Sequence, residues 1–69
     1  MATFQFHFPS GFTFFTDSRN LYHEAYVEFG DTLAPNGIPY AQEIEGWGEL
    51  CTIGEEFIAD RGITIECVE

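Results

Sequence analysis

The chemically distinctive groups of this 69-residue chain are its carboxylates. Asp and Glu number 12 against 2 Lys and Arg, for a formal net charge of −10. Both cations are arginines, Arg19 and Arg61. Asp17, Glu24, Glu28 and Asp31 fall in the first forty residues. Glu43, Glu45, Glu49, Glu55, Glu56, Asp60, Glu66 and Glu69 crowd the remainder. Ten unbalanced charges on a small body repel one another and cost stability. A surface built for stability interleaves Lys or Arg with its acids. Two uses fit such a one-sign surface. One is a solvated coat that keeps a Phe-rich domain in solution. The other is a carboxylate array imitating duplex DNA, which carries one negative charge per roughly 1.7 Å of axis and is gripped by Lys/Arg grooves. A saline-adapted protein shares the acidity and the lack of lysine, but not the phenylalanine content.

Other chemistries find no constellation here. His7, His23, Cys51 and Cys67 lack the C-x-x-C or H-x₃₋₅-H spacing of a zinc site. No calcium-loop pattern is present among the acids. Paired carboxylates for glycoside chemistry need a cleft deeper than this length builds. G-x-S-x-G, P-loop and G-x-G-x-x-G patterns are missing. The expectation is a protein that is not an enzyme and needs no cofactor. Direct nucleic-acid binding and attachment to an anionic membrane both require clustered cations, so neither is expected. The start of the chain lacks the charge and apolar run of a signal peptide, and no apolar stretch nears the roughly 18 residues of a membrane helix. Two cysteines without such a signal point to a reducing compartment and free thiols, although the 16-residue separation of Cys51 and Cys67 also permits a bridge.

The positioning elements follow from hydropathy. Thr3 to Phe8 alternates, with Phe4, Phe6 and Phe8 on one side and Thr3, Gln5 and His7 on the other. That is the period of a half-buried strand. Pro9-Ser10-Gly11 is a turn, and Phe12 to Phe15 completes a hairpin. Leu21, Tyr22, Ala25, Tyr26 and Phe29 have helical spacing between capping signals at Thr16-Asp17-Ser18 and Gly30. The same segment also alternates as Leu21, His23, Ala25, Val27 and Phe29, so a strand competes; the caps favour the helix. Pro35-Asn36-Gly37 marks a turn, and Pro39 opens one or two helical turns over Tyr40 to Glu45. Gly46-Trp47-Gly48 is expected to break it, with Trp47 as an aromatic plug. A second helix is then expected from Glu49 to Arg61, with Leu50, Ile53, Phe57 and Ile58 on its buried arc. Ile63 to Val68 reads as a last strand.

The predicted order is ββααβ. It gives one α+β domain over residues 1–69, an antiparallel sheet of about three strands covered on one face by two helices. The other sheet face, with Thr3, Gln5, His7, Thr13, Thr64 and Glu66, is expected to be wet. On the predicted second helix Glu49, Glu56 and Asp60 are spaced by seven and four and stack along one side. Glu24 and Glu28 sit about 6 Å apart along the first. Like charges at that spacing weaken a helix slightly.

Small size, acidity, the lack of lysine and the missing catalytic motifs resemble the phage-encoded anti-CRISPR proteins that block type I surveillance complexes. The start Met1-Ala2-Thr3-Phe4, the aromatic second strand Phe12-Thr13-Phe14-Phe15, the acidic middle helices and the short C-terminal strand are similar to one such group in order and length. The likeness lies in layout and covers few residue identities; no catalytic motif is carried over. It implies a monomeric DNA mimic in the cytoplasm of a host bacterial cell. Its partner would be a basic DNA-binding protein or a CRISPR surveillance complex (Cascade), blocked without cutting or modification. The expected contacts are Glu49, Glu56 and Asp60, supported by Glu55, Glu45 and Glu43, with Glu24, Glu28 and Asp31 as a second patch. The alternatives are a DNA mimic aimed at another DNA-binding enzyme and a small phage structural or assembly protein.

Overall fold

The computed structural model of the chain describes residues 2–69. The alternating run forms strand β1 (Thr3–His7), with Phe4 and Phe6 fully buried. The chain then turns tightly. Gly11 N–H donates to the Phe8 carbonyl and Phe8 N–H to the Phe12 carbonyl, both at 2.9 Å. Gly11 takes φ +93°, the left-handed value that closes a three-residue hairpin loop. Strand β2 (Thr13–Asp17) returns antiparallel, and the Phe6 and Phe14 rings stack at 4.7 Å between centroids.

Helix α1 (Leu21–Phe29) confirms the helical reading over the strand. Leu21, Ala25 and Phe29 are buried at four-residue intervals, and Val27 is left 62% exposed, as the helical period demands. Before it, the Asp17 carboxylate accepts the Arg19 and Asn20 N–H groups at 3.0 Å each and closes the turn into the helix. At its far end Gly30 (φ +53°) donates its N–H to the Tyr26 carbonyl at 2.7 Å.

Helix α2 (Tyr40–Leu50) departs from expectation. Gly46-Trp47-Gly48 does not interrupt it. Gly48 is the point where α2 closes on its neighbours: a Cβ there would run into Leu21 and lie 3.2 Å from Phe4 Cζ. Packing therefore overrides the weak helix propensity of glycine. Trp47 is half-buried between Phe4 (5.8 Å) and Phe57 (5.7 Å), a packing role.

The helix expected over Glu49 to Arg61 does not form. Cys51 is already extended (ψ 154°), and Gly54 takes φ +94°. The chain reverses into strand β3 (Glu56–Ile58), a short turn over Asp60–Gly62, and strand β4 (Thr64–Cys67). Of the supposed buried arc, Leu50, Ile53 and Ile58 are 86, 73 and 77% exposed. Only Phe57 packs against the core, reaching the Tyr40 and Trp47 rings.

The order is thus ββααββ, an α+β fold with four strands rather than three. All neighbours are antiparallel in the spatial order β2-β1-β4-β3. Two hairpins meet along their inner strands, with Phe6 opposite Ile65 and Phe4 opposite Cys67. The helices cover the face bearing Phe4, Phe6, Ile65 and Phe57. By strand alternation the other face carries Thr3, Gln5, His7, Thr13, Phe15, Thr64, Glu66, Glu56 and Ile58 and is uncovered. Phe15 thus lies outside the core at 63% exposure, while Phe12, just before β2, is 60% exposed beside the Phe8 and Phe14 rings.

Candidate functional site

Among the described residues no charged side chain is buried, so all twelve carboxylates reach solvent to some degree. Among the described residues none forms an ion pair with an arginine; the one ionic contact is His7 Nε2 to Glu66 Oε1 at 3.2 Å. Of the two arginines, Arg61 is spent elsewhere. Arg61 Nη2 donates to the Glu28 carbonyl at 2.6 Å, and its guanidinium lies 5.4 Å over the Phe29 ring. The negative field is therefore not cancelled by local pairing.

The carboxylates divide by what holds them. Glu43 accepts the Asn36 side-chain amide at 2.6 Å. Glu55 accepts the Thr52 N–H at 2.7 Å and its hydroxyl at 3.3 Å. Both are parts of the fold. Glu24, Glu28, Asp31, Glu45, Glu49, Glu56 and Asp60 have no side-chain hydrogen bond among the described residues. Seven of the nine predicted contact residues are thus free to meet a partner.

The predicted stripe of Glu49, Glu56 and Asp60 does not exist as a helical line. Glu49 lies on α2, Glu56 on β3 and Asp60 in the turn before β4. Glu45 and Glu49 are one turn apart on α2, and Glu24 and Glu28 one turn apart on α1. Asp31 follows α1 in a loop. The Arg61 bond draws the Asp60 turn up to the end of α1, where Glu28 sits. The acids occupy both the helical layer and the open sheet face.

Sequence reasoning left Glu66 and Asp17 out of the site. Glu66 stands directly opposite Glu56 across β4 and β3, two like charges on the open face. Finding that pair required the strand that was taken for a helix. Asp17 and Glu24, with Phe15 and Asn20, line an open depression of about 380 Å³ beside β2. Its lining is mixed, with two carboxylates and an exposed aromatic ring, a composition suited to a cationic side chain.

Cys51 and Cys67 are free thiols, Cys67 buried and Cys51 half-buried. Burial pushes the Cys51 thiol up to about 12, and neighbouring Cys67 and Glu55 push the same way. Such a thiol is protonated and a poor nucleophile at neutral pH. Among the described residues no group of three or more His, Cys, Asp or Glu is placed to hold a metal ion. No helix there is long and apolar enough to cross a membrane. No protein-family model, curated protein or solved structure matches the chain.

Proposed function

We propose that this protein is an inhibitory decoy that binds the DNA-gripping surface of a basic protein and keeps DNA out. The observation that carries the reading is the unneutralised charge: twelve carboxylates, none paired with an arginine among the described residues. A cationic groove attracts such a body at long range and speeds its encounter. The free carboxylates on both layers suit a cleft that wraps the molecule, in place of the single flat contact a helical stripe would make. Binding is then steric and electrostatic and changes no covalent bond. The resemblance in size, acidity and lack of lysine to small anti-CRISPR proteins makes a type I surveillance complex in the host cytoplasm the first target to try.

The test is co-purification with candidate DNA-binding complexes at low salt, followed by DNA competition. DNA should displace the protein, and the complex should weaken steeply between 0.05 and roughly 0.5 M salt as the charges are screened. Glu24, Glu28, Glu45 and Glu49 changed together to Lys should abolish inhibition, whereas single changes should have small effects. Inhibition untouched by the fourfold reversal, or a salt-independent complex, discards the reading. A salt-independent complex would favour the second reading, a structural or assembly subunit. Exposed Leu33, Leu50, Ile53 and Ile58 supply the apolar contacts that reading needs.

A further inference from the structure

We propose that the free edge of β2 docks an extended segment of the basic partner, adding a fifth strand whose arginine or lysine enters the adjoining depression. The proposal rests on the decoy reading above and gives it a docking geometry. Among the described residues the sheet order leaves β2 with no strand beyond it. Phe8 N–H bonds to the Phe12 carbonyl, and Ser18 N–H to the Ala2 carbonyl, at the two ends of the β1–β2 ladder. With the register Phe6 opposite Phe14 and Phe4 opposite Thr16, these bonds turn the main-chain groups of Phe14 and Thr16 toward β1. Those of Thr13 and Phe15 then point outward, and the Asp17 N–H with them; the Asp17 carbonyl is taken by Asn20 N–H at 3.1 Å. Of the usual guards this edge carries a single charge, Asp17 at its end. Thr13-Phe14-Phe15-Thr16-Asp17 has no Lys, no Pro and no bulge, and its residues favour strand. The opposite edge, β3, is only three residues long.

The depression lies along this same edge. Asp17 and Phe15 come from β2, while Glu24 reaches it from α1. The Glu24 carboxylate accepts no hydrogen bond among the described residues, and neither arginine lines the space. A strand laid against Thr13–Asp17 would hold one side chain over it. A guanidinium or ammonium there meets the free Glu24 carboxylate, the second oxygen of Asp17, whose Oδ1 is held by Arg19 and Asn20, and the exposed Phe15 ring. Charge selects the occupant: a second copy would bring another ten negative charges to the edge, and nucleic acid would repel the carboxylates. A basic, β-prone protein segment is the complement.

The experiment uses the full chain and two nine-residue peptides of alternating valine and arginine, or valine and glutamate. The basic peptide should shift and protect the Thr13 and Phe15 amides in NMR spectra, and the acidic one should not. Phe15→Pro removes an outward donor that an edge strand can spare and should weaken binding by about tenfold or more. Glu24→Gln, a helix-surface change that keeps the fold, should weaken it several-fold. Circular dichroism and the β1–β4 amide shifts verify the fold of each variant. Equal binding of the acidic peptide, shifts confined to other elements, or unchanged affinity in Glu24→Gln overturns the proposal. So does a dimer through β2 in sedimentation, which would assign the edge to a second copy. The decoy reading fails separately: it falls if no DNA-binding complex is inhibited, even with the peptide seated on β2.

Discussion

Arg61 reaches from the β3–β4 turn to the last turn of α1, where its Nη2 meets the Glu28 carbonyl at 2.6 Å. It holds a left-handed backbone (φ 57°) while its guanidinium covers the Phe29 ring. A cation at a helix C-terminus answers unpaired carbonyls and the negative end of the dipole. One of two cations in the chain thus fastens the second hairpin to the first helix.

Arg61→Asn should tolerate the backbone but lose that fastening. We expect destabilisation of about 1–2 kcal/mol in urea unfolding. Arg19→Ala, at an exposed turn position, should stay within about 0.5 kcal/mol of the parent.

Gly46 and Gly48 should respond in opposite directions to alanine. At Gly48 the new methyl group meets Leu21 and Phe4, and a loss of about 1–3 kcal/mol is expected from overpacking. At Gly46 nothing lies within 4 Å, so alanine should stabilise the helix by up to about 1 kcal/mol. Thermal or urea denaturation of the two variants checks the pair.

Added salt should raise the melting temperature. Glu56 opposite Glu66, and the helical pairs Glu24/Glu28 and Glu45/Glu49, bring like charges together with no cation between them. Screening relieves that repulsion. Scans at 0.02 and 0.5 M sodium chloride test it; a flat response would mean the acids are too far apart to matter. In Glu56→Gln the gain with salt should shrink.

Alkali should destabilise the fold through Cys51. Its thiol titrates at about 12 in the folded chain, against 9.0 ordinarily. Between these values the unfolded chain has released the proton and the folded chain has kept it. Stability is therefore full below pH 9 and declines as pH rises toward 12. Cys51→Ser should flatten that decline in unfolding experiments at pH 8 and 10.5. In the parent, thiol reagents should find both cysteines slow until denaturant is added.

The first half of the fold was legible because pattern and turn chemistry agree there. Thr3 to Phe8 alternates, Gly11 supplies the left-handed turn, and Asp17 and Gly30 bracket α1. The second half was not. Gly46 and Gly48 look like a breaker, but Gly48 is glycine because α2 needs contact with Leu21 and Phe4. Leu50, Ile53, Phe57 and Ile58 fall on a helical arc by coincidence of spacing. β-Branched Thr52 and Ile53 beside left-handed Gly54 were the signals against it. Misreading that segment also misplaced Glu56 and Asp60. The charge imbalance was visible from composition, but its division between two layers required the β3–β4 hairpin.

The pairing of β1 with β4 joins residues far apart along the chain; His7 and Glu66 touch across a separation of 59. As the polypeptide leaves the ribosome, Phe4 and Phe6 have half their strand partners in place and must wait for Ile65 and Cys67. Closing so long a loop is slow. A chain interrupted before Ile63 would leave a sticky aromatic hairpin for chaperones or proteases to find. The mutual repulsion of the carboxylates would then also serve the nascent chain, keeping unfinished copies from one another until the central strands lock.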